Sequence, residues 1–154
     1  MDGRLSKIYV NREKGSPTES VSQARLDKYD GLVGDYRSKS SDKDRQLAIL
    51  LDSDRQNIDE NYNDRGLCTR RFLENILIEG FSSNQLAAHT ILEIGESKIE
   101  ITSIGKRCFE ECKLVKNKEY CPLKEGTLFG KVIESGTIKV GDIVTKENRK
   151  RIGE

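Results

Sequence analysis

Basic surplus, long apolar runs and histidine are what this chain has little of. Lys and Arg number 27 against 26 Asp and Glu, for a net charge of +1. Proteins that neutralise many phosphates usually carry a basic excess, so a long nucleic acid is not the expected partner. No apolar run approaches the roughly 20 residues of a membrane-spanning helix. The opening Met-Asp-Gly-Arg-Leu-Ser-Lys holds no apolar signal core. A cytoplasmic, reducing location without membrane association is the expectation. The only histidine, His89, stands among Ala87, Ala88 and Thr90; a lone histidine there is more often packed or exposed than a base. A phosphate-loop glycine signature, a nucleophile elbow and a paired-histidine metal motif are all missing.

What the chain does have is clustered sulfur. Of four cysteines, Cys108, Cys112 and Cys121 fall within fourteen residues. In a reducing compartment such a cluster points to metal binding or catalysis before disulfides. Lys106 and Arg107 directly precede Cys108, and neighbouring cations favour the thiolate. That thiolate can ligate a soft metal or hold a persulfide sulfur; alternatively, Cys108 is a small buried hydrophobe. The three cysteines can also form one structural zinc or iron–sulfur site, with Cys68 or His89 as a fourth ligand. No C-x2-C pair supports a standard zinc pattern. Cys112 can instead act as a resolving thiol for Cys108.

A chain of 154 residues with 34% hydrophobic residues is enough for one compact domain. Residues 1–146 are expected to form it and 147–154 a charged tail. Leu5 to Val10 reads as a first strand, and Asn11 to Ser22 as a loop. Gly31-Leu-Val-Gly34-Asp35 is a short apolar step, and Tyr36 to Asp44 a polar surface loop. Arg45 to Leu51 has strand length. Asp52 to Asp64 suits a short helix with Ile58 and Tyr62 on one stripe. Phe72 to Ile78 reads as a turn running into a strand. Thr90 to Ile94, Lys98 to Ile104, Leu128 to Ile133, Thr137 to Val140 and Ile143-Val144 read as further strands. Cys108 to Lys116 suits a helical turn with Cys108 and Cys112 on one face. Short strands, glycine punctuation and few helices predict a mainly β, barrel-like domain.

Among basic residues, Arg37, Arg45, Arg70 and Arg71 lie near glycine turns or strand ends. Arginine's planar fork suits phosphate or another oxyanion, although solvated surface charge is its usual fate. The amide of Asn75, in Glu74-Asn75, can hydrogen-bond a polar ring or a turn backbone.

These segments, in this order, resemble a MOSC domain, the family named for the C-terminal domain of molybdenum cofactor sulfurase. The resemblance rests on Lys14-Gly15, Gly31-Leu-Val-Gly34-Asp35, Arg45-Gln46-Leu47 and Glu74-Asn75-Ile76. It continues through Ile94-Gly95-Glu96 into Ile99-Glu100-Ile101-Thr102, then Ile104-Gly105-Lys106-Arg107-Cys108, and ends at Gly136-Thr-Ile-Lys-Val-Gly141-Asp142. The three-cysteine stretch is especially similar to small bacterial members. The resemblance implies a MOSC-like β-barrel with a few short helices and a cleft for molybdenum cofactor (molybdopterin). Cys108 matches the cysteine that binds metal or carries sulfur. Arg45, Arg70, Arg71, Asn75 and Lys106 are the candidates for holding the anionic cofactor. Where family members often carry histidine, this chain has Tyr36-Arg37 and Phe109. The implied function is cofactor binding or sulfur carriage in cofactor biosynthesis or molybdoenzyme maturation. Cofactor biosynthesis enzymes or a cysteine desulfurase would be its partners. The alternative is a non-catalytic protein with a structural site at Cys108, Cys112 and Cys121.

Overall fold

The computed structural model describes residues 2–13, 17–36, 45–57, 59–60, 74–82, 85–105 and 127–147. Among the described residues, eleven strands and one helix follow in chain order: β1 (Asp2–Val10), β2 (Glu19–Val21), β3 (Gln23–Asp27), β4 (Gly31–Leu32), β5 (Leu47–Leu51), α1 (Asp52–Asn57), β6 (Ile76–Glu79), β7 (Ile91–Ile94), β8 (Ser97–Ile104), β9 (Leu128–Glu134), β10 (Gly136–Lys139) and β11 (Ile143–Lys146). The fold is mainly β, as expected. Strands run β11-β7-β8-β9-β5-β6-β1, and β11 pairs back onto β1, closing a seven-stranded barrel; β2 extends the free end of β1. A small sheet, β10-β3-β4, sits beside it.

Local pattern explains most of these strands. Ser97, Ile99 and Ile101 of β8 alternate with more exposed neighbours, so one face packs inward. In β1 the register shifts between Leu5 and Lys7. The irregularity puts Leu5 and Ile8, three residues apart, both in the core. The barrel interior is filled by aliphatic side chains, including Leu5, Ile8, Leu47, Ile49, Ile76, Ile78, Ile99, Ile101, Leu128 and Val132. Removing one such leucine or isoleucine side chain costs about 2–5 kcal/mol.

β5 and β6 pair in parallel, with Ile49 opposite Ile76. A parallel pair needs a crossover rather than a hairpin, and α1 lies in that connection. The helix buries none of its residues; Ile58 and Tyr62, its expected apolar stripe, lie outside the described residues. So does the helical turn expected at Cys108 to Lys116.

Gln46 fastens the small sheet to the barrel. Its Nε2 donates to Lys28 O at 3.2 Å and Tyr29 O at 3.1 Å, while its Oε1 accepts from Val132 N at 2.8 Å. Gly31 allows this approach: its φ is 74°, and a Cβ there would come within 2.8 Å of Gln46 Cβ. The loop expected over Asn11 to Ser22 ends in a strand, β2, and β3 follows where the sequence reading has no element, because Glu19 to Asp27 shows no apolar alternation beyond Val21 and Leu26. Among the described residues no helix is long and apolar enough to cross a membrane.

Candidate functional site

The site is built on the outer face of the barrel wall around β5. Leu47, Ile49 and Leu51 enter the core, so strand alternation turns Ala48 and Leu50 outward. Both are nevertheless fully buried. Phe129 of β9 stands opposite Ala48, and Ser103 of β8 stands opposite Phe129. On the other side of Ala48, Asn75 donates its backbone N–H to Ala48 O at 2.8 Å. Tyr9 N then donates to Asn75 O at 2.7 Å. One row, Ser103–Phe129–Ala48–Asn75–Tyr9, therefore crosses four strand boundaries, with its smallest side chain at the centre.

Arg45 covers part of this row. Its guanidinium carbon is 4.6 Å from the centroid of the Phe129 ring, a cation–π distance. The three residues of Arg45-Gln46-Leu47 thus divide their tasks: charge on the wall, a staple to the small sheet, and core filling.

Asn75 is buried and its side chain is fully engaged. Oδ1 accepts from Ala48 N at 3.1 Å; Nδ2 donates to Asp35 Oδ1 at 3.0 Å and Tyr9 O at 3.3 Å. Asp35, only 1% exposed, also accepts from Asn11 N at 2.7 Å. Thr18 Oγ1 in turn donates to Asn11 Oδ1. The preceding Gly34, at φ 95°, makes the left-handed turn that sends Asp35 inward. A buried carboxylate is tolerable because donors converge on it.

Glu74 is the next polar residue along. Arg55 of α1 grips it with Nε to Oε2 at 3.0 Å and Nη2 to Oε1 at 2.5 Å. Arg55 also reaches Asp59 at 3.2 Å. Burial alone would lower the guanidinium's pKa, but its hydrogen bond and charge pairing with Glu74, then Asp59, outweigh that and raise it. Burial, then the negative charge of Glu74, raises the phenol of Tyr9. Burial also raises the carboxyl of Asp54, whose Oδ2 is enclosed without a hydrogen-bond partner.

Two hydroxyls of this wall share that condition. Ser103 Oγ and Thr127 Oγ1 are buried and have no hydrogen-bond partner; Thr127 is 0% exposed. Each such group costs about 1–3 kcal/mol when left unmade.

Arg70 and Arg71 precede Glu74. Lys106, Cys108, Cys112 and Cys121 fall between Gly105 and Thr127, whose backbones are joined by Gly105 N to Thr127 O at 2.6 Å. Arg37, Cys68, Arg70, Arg71, Lys106, Cys108, Cys112 and Cys121 themselves lie outside the described residues. Arg45 and Asn75 are thus brought onto one wall. His89 is not in the row: its side chain is exposed, with Nδ1 3.0 Å from Glu100 Oε2, and its φ of 73° is left-handed. Among the described residues, no three His, Cys, Asp or Glu side chains are grouped to hold a metal ion. Sequence reasoning missed Asp35 as a hub, the Arg55–Glu74 pair, and Ser103 and Thr127. The Gly34-Asp35 step was a signal for the first. Hydroxyl residues at strand positions carry none, since threonine and serine occur in any strand.

Comparison with known proteins places this architecture. No curated protein matches the chain. Among solved structures, the YuaD protein from Bacillus subtilis superposes with a TM-score of 0.71 at 15% identity, over 94% of each chain. YiiM from Escherichia coli gives 0.63 at 17% identity, over 96% of this chain and 71% of that one. YiiM from Geobacillus stearothermophilus gives 0.64 at 14% identity, over 96% and 76%. At such identities these superpositions show a shared fold alone. The model of the MOSC domain matches residues 35–145, from the buried Asp35 to the closing strand β11, and the chain belongs to the MOSC domain family.

Proposed function

We propose that this protein binds molybdenum cofactor, or carries sulfur for it, through the thiolate of Cys108. The observation that carries this reading is the family match over residues 35–145, which takes in Cys108 and every candidate for holding the cofactor. The MOSC family is associated with molybdenum-cofactor-related proteins. The donor set suits such a ligand. Arg45 presents an exposed cation on the wall beside the strand ends that flank the cysteine-bearing stretch. A guanidinium is the natural partner for an anionic group, and a thiolate the natural ligand for a soft metal.

In this reading Arg45, Arg70, Arg71 and Lys106 hold the anionic part of the cofactor. Asn75 fixes the spacing between β5 and β6, which sets where Arg45 sits. Cys108 provides the sulfur, kept ionised by Lys106 and Arg107. When bound, the cofactor supplies the redox and sulfur- or oxygen-transfer chemistry of its metal. A sulfur carrier of this kind receives sulfane sulfur from a desulfurase and works beside cofactor biosynthesis enzymes. The cytoplasm is the compartment where those partners would meet it.

Single replacement of Cys108, Cys112 and Cys121 by alanine tests the reading, with retained pterin fluorescence and circular dichroism as the readouts. Loss of pterin only in Cys108→Ala, with the fold intact in all three, is expected. Equal loss of folded protein in all three would instead mark a structural metal site, because metal binding and folding are then coupled.

A further inference from the structure

We propose that the groove beyond the carboxyl ends of β5 and β6 receives a basic side chain, arginine or lysine, from a partner polypeptide. The two strands pair in parallel with Leu51 opposite Ile78, and both of those side chains enter the core. Alternation therefore turns the next residue of each strand, Asp52 and Glu79, toward the outer face. Neighbouring strands lie about 4.8 Å apart, so the two carboxylates stand side by side. Both line one cavity of about 380 Å³, together with Ile78, Phe81, Gln56 and Gln85. Like charges placed so close destabilise each other, and a cation between them relieves that repulsion. The described cations nearby are engaged elsewhere: Arg55 with Glu74 and Asp59, and Lys146 Nζ with Gln85 O at 2.9 Å. Arg4 stands opposite Glu79 in the β1–β6 register but does not line the cavity.

The walls of the groove are fixed by the fold. Phe81 is 7% exposed and packed into the core, so the apolar floor does not move. Gln85 Oε1 accepts from Ser82 N at 2.7 Å and from Ser82 Oγ at 3.1 Å, which holds the loop after Phe81. An apolar floor beside two carboxylates fits the methylene stem and cationic head of arginine or lysine. The cavity is an open groove, whereas sites for free small molecules bury most of their ligand. A side chain presented on a partner's surface therefore fits better, with contacts around the groove adding to it. Those surroundings are acidic: Asp52 to Glu60 holds Asp52, Asp54, Asp59 and Glu60 against Arg55, in a chain whose net charge is +1. Asp52 is four residues along from Ala48, about 13 Å at strand rise, so the groove is distinct from the wall that carries Arg45.

Fluorescence anisotropy of the full chain with a labelled peptide of Gly-Ser-Arg repeats, at low salt, tests the proposal. The same peptide with citrulline for arginine keeps the stem, loses the charge and serves as the control. Saturable binding of the arginine peptide alone is expected. Asp52→Asn and Glu79→Gln should each weaken it about threefold, and the double variant about tenfold, as for partly exposed ion pairs. Glu93→Gln, which removes an equal charge from an exposed position on β7, should leave binding unchanged. No binding, equal binding of the citrulline peptide, or equal weakening by Glu93→Gln would overturn the proposal. So would free arginine amide binding as tightly as the peptide, since the groove would then take a small cation without a partner chain. None of these readouts involves Cys108 or a bound metal, so this proposal and the cofactor reading fail separately.

Discussion

The Arg45 guanidinium rests on the Phe129 ring, 4.6 Å from its centroid, and so ties the start of β5 to the start of β9. The two residues contribute differently. Phe129 is buried at 8% exposure, whereas Arg45 is exposed. Phe129→Ala should cost about 3 kcal/mol or more of stability, as for a buried aromatic. Arg45→Gln should cost less than about 1 kcal/mol, as for an exposed cation–π pair. Urea denaturation of both variants checks this; equal losses would mean that Arg45 holds the wall together rather than serving a ligand.

Asn75 links Asp35 to Ala48, and its removal leaves three partners behind. Asn75→Leu should destabilise by about 2–4 kcal/mol, because Asp35 Oδ1 and Ala48 N each lose a buried hydrogen bond and Tyr9 O a part-buried one. Asn75→Asp should also be harmful, since a second carboxylate would face Asp35. Thermal melts of the two variants decide; a melting temperature near wild type in Asn75→Leu would show that the network is not needed for folding.

Glu74 and Arg55 form a largely buried pair, with side chains 5% and 19% exposed. Glu74→Gln removes the buried negative charge that pairs with Arg55, and a loss of about 3 kcal/mol is expected. Replacing both, as in Glu74→Leu with Arg55→Met, should recover much of that loss, because neither charge of the pair remains to be left unpaired. A double variant less stable than Glu74→Gln would contradict this account of the pair.

Asp54 gives the protein a pH signature. Its carboxyl is raised above 3.8 by burial, so the folded state holds this proton more tightly than the unfolded chain. The associated stability is present below the unfolded value and is lost as pH rises through the folded one. Asp54→Asn, which carries no charge, should therefore gain on wild type as pH climbs from about 3.8 toward neutrality. Denaturation of both proteins from pH 3.5 to 7 measures the difference; a difference constant with pH would refute it.

Much of the barrel was legible because its strands carry period-two aliphatic patterns bounded by glycine. β8 and β9 are the clearest: Ile99, Ile101, Leu128 and Val132 all enter the core. The small sheet was harder to see, because Gln23 to Asp27 offers only Leu26 to the interior. It is held by Gln46 and Ser135, whose side-chain bonds to the Lys28–Tyr29 turn leave no hydropathy pattern. At the site, Arg45 and Asn75 were visible as polar residues beside apolar runs. Asp35 gained its place through contacts 24 and 40 residues away in the chain, which no local pattern encodes. Ser103 and Thr127 became distinctive only once their surroundings were known.

Molybdenum content tests the central claim most directly. Wild-type protein and Cys108→Ala would be purified anaerobically from a host that makes molybdenum cofactor and assayed by mass spectrometry. Molybdenum near one per chain in wild type, lost in the variant while the fold survives, is the predicted result. Zinc or iron in its place, lost together with the fold, would contradict the account and favour a structural site at Cys108, Cys112 and Cys121.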